Sequence, residues 1–282
     1  MTDECFARIA IKVPLVPDLY LLSEAAIANL MTSRGIPDFE TLPACLERQL
    51  AMERRVQASP RSAEQPVLHC DRHGACADWG TCPASCHQAT RLHRAESILA
   101  GGDLFDQIGG DKYLVTVVDS DFEVGIGALR TIWPSRVAGR TISALRRAGL
   151  KGPALFGVDV AVINAGKRTF FAPHIHGVIA NADAQELRYA LKCGVRGTGN
   201  ARPVQVKKIK PGDVHRCVAY VLKRRPQALT RYVGANGRVE TRHLPPRADH
   251  HAEIDSWLGG YQVGDLCFRV GFKKAGRFLI SF

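Results

Sequence analysis

His174 and His176 stand two residues apart in Thr-Phe-Phe-Ala-Pro-His-Ile-His-Gly-Val-Ile-Ala (169–180), an otherwise apolar stretch that reads as a strand. Alternation along a strand sends both imidazoles to one side, about 7 Å apart at Cα. An apolar sheet face leaves each ring's polar nitrogens in want of partners, so two imidazoles converging there suit a divalent metal ion. Further along, Cys-Val-Ala-Tyr-Val-Leu-Lys-Arg-Arg (217–225) reads as a helix. It carries Tyr220 and Lys223 on one face, with Arg216 and Arg224 a turn to either side. A phenol is a weak nucleophile at neutral pH, with an ordinary pKa near ~10. It needs a more reactive electrophile, which a metal ion supplies at a phosphate, and nearby cations to stabilise phenolate. A metal beside a tyrosine in a basic chain therefore points to attack on a DNA phosphodiester.

Two strands and a turn must position this site. Leu155–Ile163 is rich in β-branched residues, and Asn164-Ala-Gly-Lys-Arg168 reads as a hairpin loop leading into the histidine strand. Folding that hairpin brings Asp159 opposite His174 to within one residue, about 5 Å away on the same face. Asp159 then completes a His, His, carboxylate set suited to Mg²⁺ or Mn²⁺ bridging to phosphate oxygens. An ion-paired edge carboxylate is the other reading of this residue.

Around them, Leu21–Thr32 and Leu42–Gln57 read as helices, 58–66 as a turn-rich linker, and 88–100 as a helix closed by Gly101-Gly102. Tyr113–Val118 is a buried strand, and 123–148 holds one or two helices broken near Trp133-Pro134. A helix capped by Asp183 runs to about Lys192. Pro203–Ile209 is a further strand, and Pro211-Gly-Asp213 opens the helix of Tyr220. After residue 240 a helix near Ala248–Leu258 precedes short strands near Cys267–Phe272 and Arg277–Phe282. From residue 111 the order β-α-β-β-α-β-α predicts an α+β fold. It is a ferredoxin-like (split βαβ) four-stranded antiparallel sheet with an added C-terminal helix bearing the nucleophile. The expected divisions are a helical segment and linker (1–66), a Cys/His-rich zinc module (67–110), the nicking domain (111–235) and a C-terminal extension (236–282).

The chain of 282 residues carries a formal net charge of +11, and the charge is concentrated. Residues 129–247 hold 23 Lys and Arg against 5 Asp and Glu, so the field and the candidate site coincide. Lys207, Lys208 and Lys210, the Lys223-Arg224-Arg225 triplet and Arg146-Arg147 would track phosphates without reading sequence. Phe170, Phe171 and Trp133 suit either base stacking or the core. No segment reads as a membrane span or secretory signal, so a cytoplasmic protein is expected. Nine cysteines, four of them between 70 and 86, suit zinc in a reducing compartment better than a disulfide framework. His69, Cys70, His73, Cys76, Cys82, Cys86 and His87 exceed what one tetrahedral zinc needs. Cys70, Cys76, Cys82 and Cys86 are the chosen ligands, with His73 and His87 as rivals, and the role is structural or duplex-binding.

An apolar-His-Ile-His-apolar strand followed by a helix with Tyr-x-x-Lys resembles the HUH endonucleases, specifically the single-tyrosine rolling-circle replication initiators of bacterial plasmids. The resemblance covers about 111–225, and Tyr113–Val118 stands where such proteins carry their first motif. It implies that His174 and His176 hold the metal, that Tyr220 nicks one strand at an origin, and that Lys223 assists at the phosphate. The product would be a 5′-phosphotyrosine and a free 3′-OH for a polymerase. Asp159 stands where relatives often place a glutamate, and Cys82-Pro-Ala-Ser-Cys86 is similar to the Cys-rich segment that many such initiators carry ahead of the nicking domain. Implied partners are single-stranded or cruciform origin DNA, a host helicase and a polymerase, in a bacterial cytoplasm. Tyr232 is the next tyrosine, too distant for a paired-tyrosine mechanism. Two alternatives stand beside this: a transposase with the same chemistry, and a non-enzymatic zinc-containing DNA-binding protein. A histidine-triad nucleotide hydrolase is disfavoured because position 178 is Val.

Overall fold

The computed structural model describes residues 11–15, 19–59, 79–150, 152–196, 203–224, 226–233, 239–275 and 278–281. The architecture is α+β, with seven α-helices and an eight-stranded curled sheet among these residues. In chain order the elements are β1 (Lys12–Pro14), α1 (Glu24–Ser33), α2 (Leu42–Ala58), α3 (His87–Gln107), β2 (Lys112–Val118), β3 (Val124–Gly125) and α4 (Pro134–Arg147). There follow β4 (Ala154–Ala165), β5 (Arg168–Ala180), α5 (Ala184–Gly194), β6 (Val204–Lys208), α6 (Val214–Val221), β7 (Gln227–Val233) and β8 (Val239–Leu244). The chain ends with α7 (Ala248–Gly259), β9 (Cys267–Val270), β10 (Phe272–Ala275) and β11 (Phe278–Ser281). No helix among the described residues is long and apolar enough to cross a membrane.

Local chemistry explains most of these boundaries. Ser23 and Thr41 cap α1 and α2 by accepting amide protons from Ala26 and Ala44. Asp183 accepts from the amides of Gln185 and Glu186 at the start of α5. Pro134 begins α4, where its missing N–H has no partner to lose. Between β4 and β5 the turn has only two central residues, with Gly166 at φ +60°.

The main sheet runs β6-β2-β5-β4-β7-β8, with β3 beside the outer part of β5 and β9 beside the start of β4. β7 runs parallel to β4, and every other pairing in this sheet is antiparallel. Pleating gives the sheet two chemically different faces. One carries Thr116, Leu155, Gly157, Asp159, His174 and His176 and is roofed in part by α3 and α6. The other buries Val115, Val117, Ile175, Val204 and Val206 under α4 and α5, and Val158, Val160 and Phe171 beside α7.

Several expectations need correcting. Gly101-Gly102 does not close α3, which continues to Gln107. A Cβ on Gly102 would fall 2.2 Å from the ring of His215 on α6, so glycine here serves helix packing. The Tyr220 helix ends at Val221 rather than running through 225. The β7–β8 hairpin, which widens the sheet across the expected 235/236 division, was not foreseen, nor was β1. A single buried cluster runs from Val13 to Leu279, so the segments either side of 110/111 and 235/236 share one core.

Candidate metal centre

β4 and β5 pair with Asp159 directly opposite His174 and Gly157 opposite His176, and β2 places Thr116 on the other side of His176. The two imidazoles turn towards each other, with Nε2 atoms 3.1 Å apart and ring planes at 90°. Asp159 Oδ2 lies 4.0 Å from His174 Nε2, and one ligand atom from each of the three residues falls within a 4.8 Å span.

Hydrogen bonds to the far nitrogens orient both rings. His174 Nδ1 lies 3.0 Å from the carbonyl oxygen of Ala172, which only accepts, so Nδ1 carries the proton and Nε2 offers its lone pair. His176 Nδ1 lies 2.9 Å from the Thr116 hydroxyl. When that imidazole donates to Thr116, two lone pairs face each other at 3.1 Å, an arrangement that a cation between them relieves. Burial, then His174, then Lys223 push the His176 pKa down to about 2, so this ring is neutral and ready to ligate at ordinary pH. Asp159 is largely shielded from solvent, which raises its carboxyl above the ordinary range against the pull of His174 and Lys223. Its Oδ1 accepts the amide proton of Val160 at 2.8 Å, leaving Oδ2 for the centre.

These donors fit a divalent ion. Two nitrogens each about 2.1 Å from a metal and about 95° apart would be separated by about 3.1 Å, as found here. The full span exceeds twice that bond length, so Asp159 would join an ion held by the two imidazoles only after a side-chain rotation or through a water. A two-imidazole, one-carboxylate set leaves positions open for substrate oxygens.

α6 holds Tyr220 beside this centre. The tyrosine ring packs edge-on against His176 with centroids 4.7 Å apart, and it is 40% exposed, open to a ligand on one side. Gly157 makes the approach feasible, because a Cβ there would lie 2.2 Å from the carbonyl oxygen of Val221. Lys223 lies beyond the end of the helix, yet its Nζ sits 4.1 Å from the Tyr220 ring centroid. His215, buried on the same helix, is 3.0 Å from Asp103 of α3, a carboxylate shared with Arg34. α6 is thus tied to α3 at one end and rests on the sheet at the other.

The expected phosphate-tracking residues divide. Arg224 turns inward and donates to Thr90 Oγ1 and the Val263 carbonyl, and burial lowers its pKa to about 10. That corrects its expected place beside Tyr220. Arg216 stays at the surface, 3.5 Å from Asp213. Lys208 is paired with Asp111 at 2.7 Å, whereas Lys207 and Lys210 are exposed on and after the edge strand. Phe171 is fully buried, and Trp133 is 61% exposed. Arg225, Cys70, Cys76, His69 and His73 lie outside the described residues. Cys82 is buried and Cys86 half-buried, in a segment pinned by Ala84 N to Tyr261 O and Val263 N to Cys82 O. Next to Cys86, the buried Nδ1 of His87 has no hydrogen-bond partner among the described residues, which suits its candidacy as a zinc ligand.

Sequence reasoning overlooked Thr116 and Gly157. Each had a signal: Thr116 is the one aliphatic-hydroxyl residue in Tyr-Leu-Val-Thr-Val-Val, and Gly157 interrupts an apolar strand. Comparison of the chain with protein-family models, curated proteins and solved structures finds no match.

Proposed function

We propose that this protein nicks and rejoins one strand of DNA at an origin of replication, with Tyr220 as nucleophile. The observation that carries this reading is the convergence of Asp159, His174 and His176 beside an accessible tyrosine ring with a lysine over it. A divalent cation held by the three ligands would draw charge from the non-bridging oxygens of the scissile phosphate. Tyr220 attacks phosphorus through its phenolate oxygen, the P–O bond to the 3′ oxygen breaks, and a 5′-phosphotyrosine and a free 3′-OH result. Lys223 stabilises phenolate before attack and phosphate charge during it. Attack by a 3′-OH on the phosphotyrosine reverses the step and rejoins the strand. The excess of cations in 129–247 favours a polyanionic substrate.

Within this reading, β6-β2-β5-β4 with α4 and α5 on one face is a ferredoxin-like unit, extended by β7 and β8 and by the nucleophile's helix. We also assign a structural zinc to Cys82 and Cys86 together with ligands from the preceding Cys/His-rich segment. The implied setting is rolling-circle replication in a bacterial cytoplasm, alongside a helicase and a polymerase.

The deciding experiment incubates the protein with single-stranded origin oligonucleotide and Mn²⁺. A covalent adduct mapped to Tyr220, absent in Tyr220→Phe while DNA binding persists within twofold, is the expected result. Cleavage that survives Tyr220→Phe overturns the assignment.

A further inference from the structure

The layer of helices on the sheet face opposite the metal centre has an outer surface that the chemistry above does not use. α4 and α5 run antiparallel across it. Residue 140 lies by residue 196 through shared carboxylates, Ala144 lies by Gly194, and Leu145 and Ala148 share a shallow groove with Leu187 and Ala190. Along α4, Arg136 and Arg147 lie on one line, about 16 Å apart at 1.5 Å per residue, with Arg146 adjacent. α5 presents Arg188 and Lys192 one turn apart. All five are exposed.

Most carboxylates nearby are committed elsewhere, although Glu186 on the first turn of α5 is exposed in that groove. Asp119 and Asp121 hold Arg140, Asp121 also holds Arg196, and Asp183 caps α5. Arg136, Arg146, Arg147 and Lys192 make no ion pair among the described residues. The axes of two packed helices lie about 8–10 Å apart, and cations leaning outwards from both stand further apart than that, which suits phosphates on the two sides of a duplex groove about 12 Å wide. A single strand would favour one track interleaved with aromatic rings. Among the described residues Tyr189, 74% exposed, stands by the α5 cations and Trp133, 61% exposed, stands at the start of α4 near Arg136, so aromatic rings do not interleave with the cations along the rows.

We propose that the α4–α5 surface holds duplex DNA through its phosphates while the opposite face handles a single strand. The choice of DNA rests on the strand-nicking reading; the surface itself rests on its charge and spacing. The test is fluorescence anisotropy with a labelled duplex and with a single strand of the same sequence, across a salt series. In the double variant Arg146→Glu, Arg147→Glu, duplex affinity should fall at least tenfold, and the slope of log K against log salt should become shallower by about two. Single-strand affinity should stay within twofold and the thermal midpoint should be unchanged. The milder Lys192→Ala should weaken duplex binding about threefold. Unchanged duplex affinity, equal loss for both DNAs, or wild-type binding to anionic phosphatidylserine vesicles but not to duplex would each overturn the proposal. Repeating the measurements in the Tyr220→Phe background separates this outcome from that of the nicking assay.

Discussion

The two faces of the main sheet are built on opposite principles. On one, polar groups are sunk among apolar neighbours and held by their partners: Thr116 on His176, Ala172 on His174, Val160 on Asp159. On the other, cations stand out in water on two helices, and most make no ion pair among the described residues. Burial makes the first face responsive to single atoms, because an unpaired polar group there meets little solvent. The second responds to the sum of its charges and to salt. A chemical site and an electrostatic surface thus share one sheet without sharing residues.

The largest effect should come from the centre itself. Under the strand-nicking reading, His176→Ala removes a metal ligand and the ring against which Tyr220 packs, so nicking should fall at least a thousandfold, about 4 kcal/mol in transition-state terms. Chelator should reproduce that loss in the wild type and change the variant little. Mn²⁺ should support the reaction better than Mg²⁺, since imidazole suits the softer ion. Gly157→Ala comes next. The added methyl meets the Val221 carbonyl, and we expect about 2–3 kcal/mol lost in denaturant unfolding together with displaced tyrosine chemistry. An unaltered unfolding midpoint would show that α6 can lift off the sheet at little cost.

Thr116→Val should be smaller and more selective. It leaves His176 Nδ1 without its partner, and metal affinity should weaken about tenfold in titration calorimetry while stability changes by less than about 1 kcal/mol. Equal metal affinity would remove Thr116 from the site. The smallest effect concerns the core beneath. Burial holds the His93 pKa well below the ordinary value, so this group contributes stability above pH 6.5 that is lost as pH falls below it, by at most about 1.4 kcal/mol per pH unit. Denaturant midpoints should decline slightly between pH 7.5 and 6, and His93→Leu should flatten the decline.

Much of the first face was legible because strand alternation and hairpin pairing are local rules. They put His174 and His176 on one side and Asp159 opposite His174 without knowledge of the rest of the chain. The end of α6 was not legible. Lys223, Arg224 and Arg225 continue the helical spacing, but the chain leaves the helix after Val221 and sends Arg224 towards Thr90, a partner 134 positions away. α3 shows the same limit. Gly101-Gly102 is a fair stop signal from local propensity, yet His215 requires a residue without a side chain in mid-helix, and that demand comes from α6. The β7–β8 hairpin escaped notice because its strands carry Thr, Arg and Glu on exposed positions and lack a clean apolar rhythm.

α3 also bears on how small a working piece of this protein can be. It closes before the segment whose motifs suggest nicking, yet it supplies the carboxylate that receives His215 and the surface against which Val218 settles. Excising 111–235 by its motifs would leave the tyrosine's helix with a bare flank and a histidine facing water. The smallest faithful fragment must begin upstream of His87, and assays on anything shorter would report on the cut rather than on the protein.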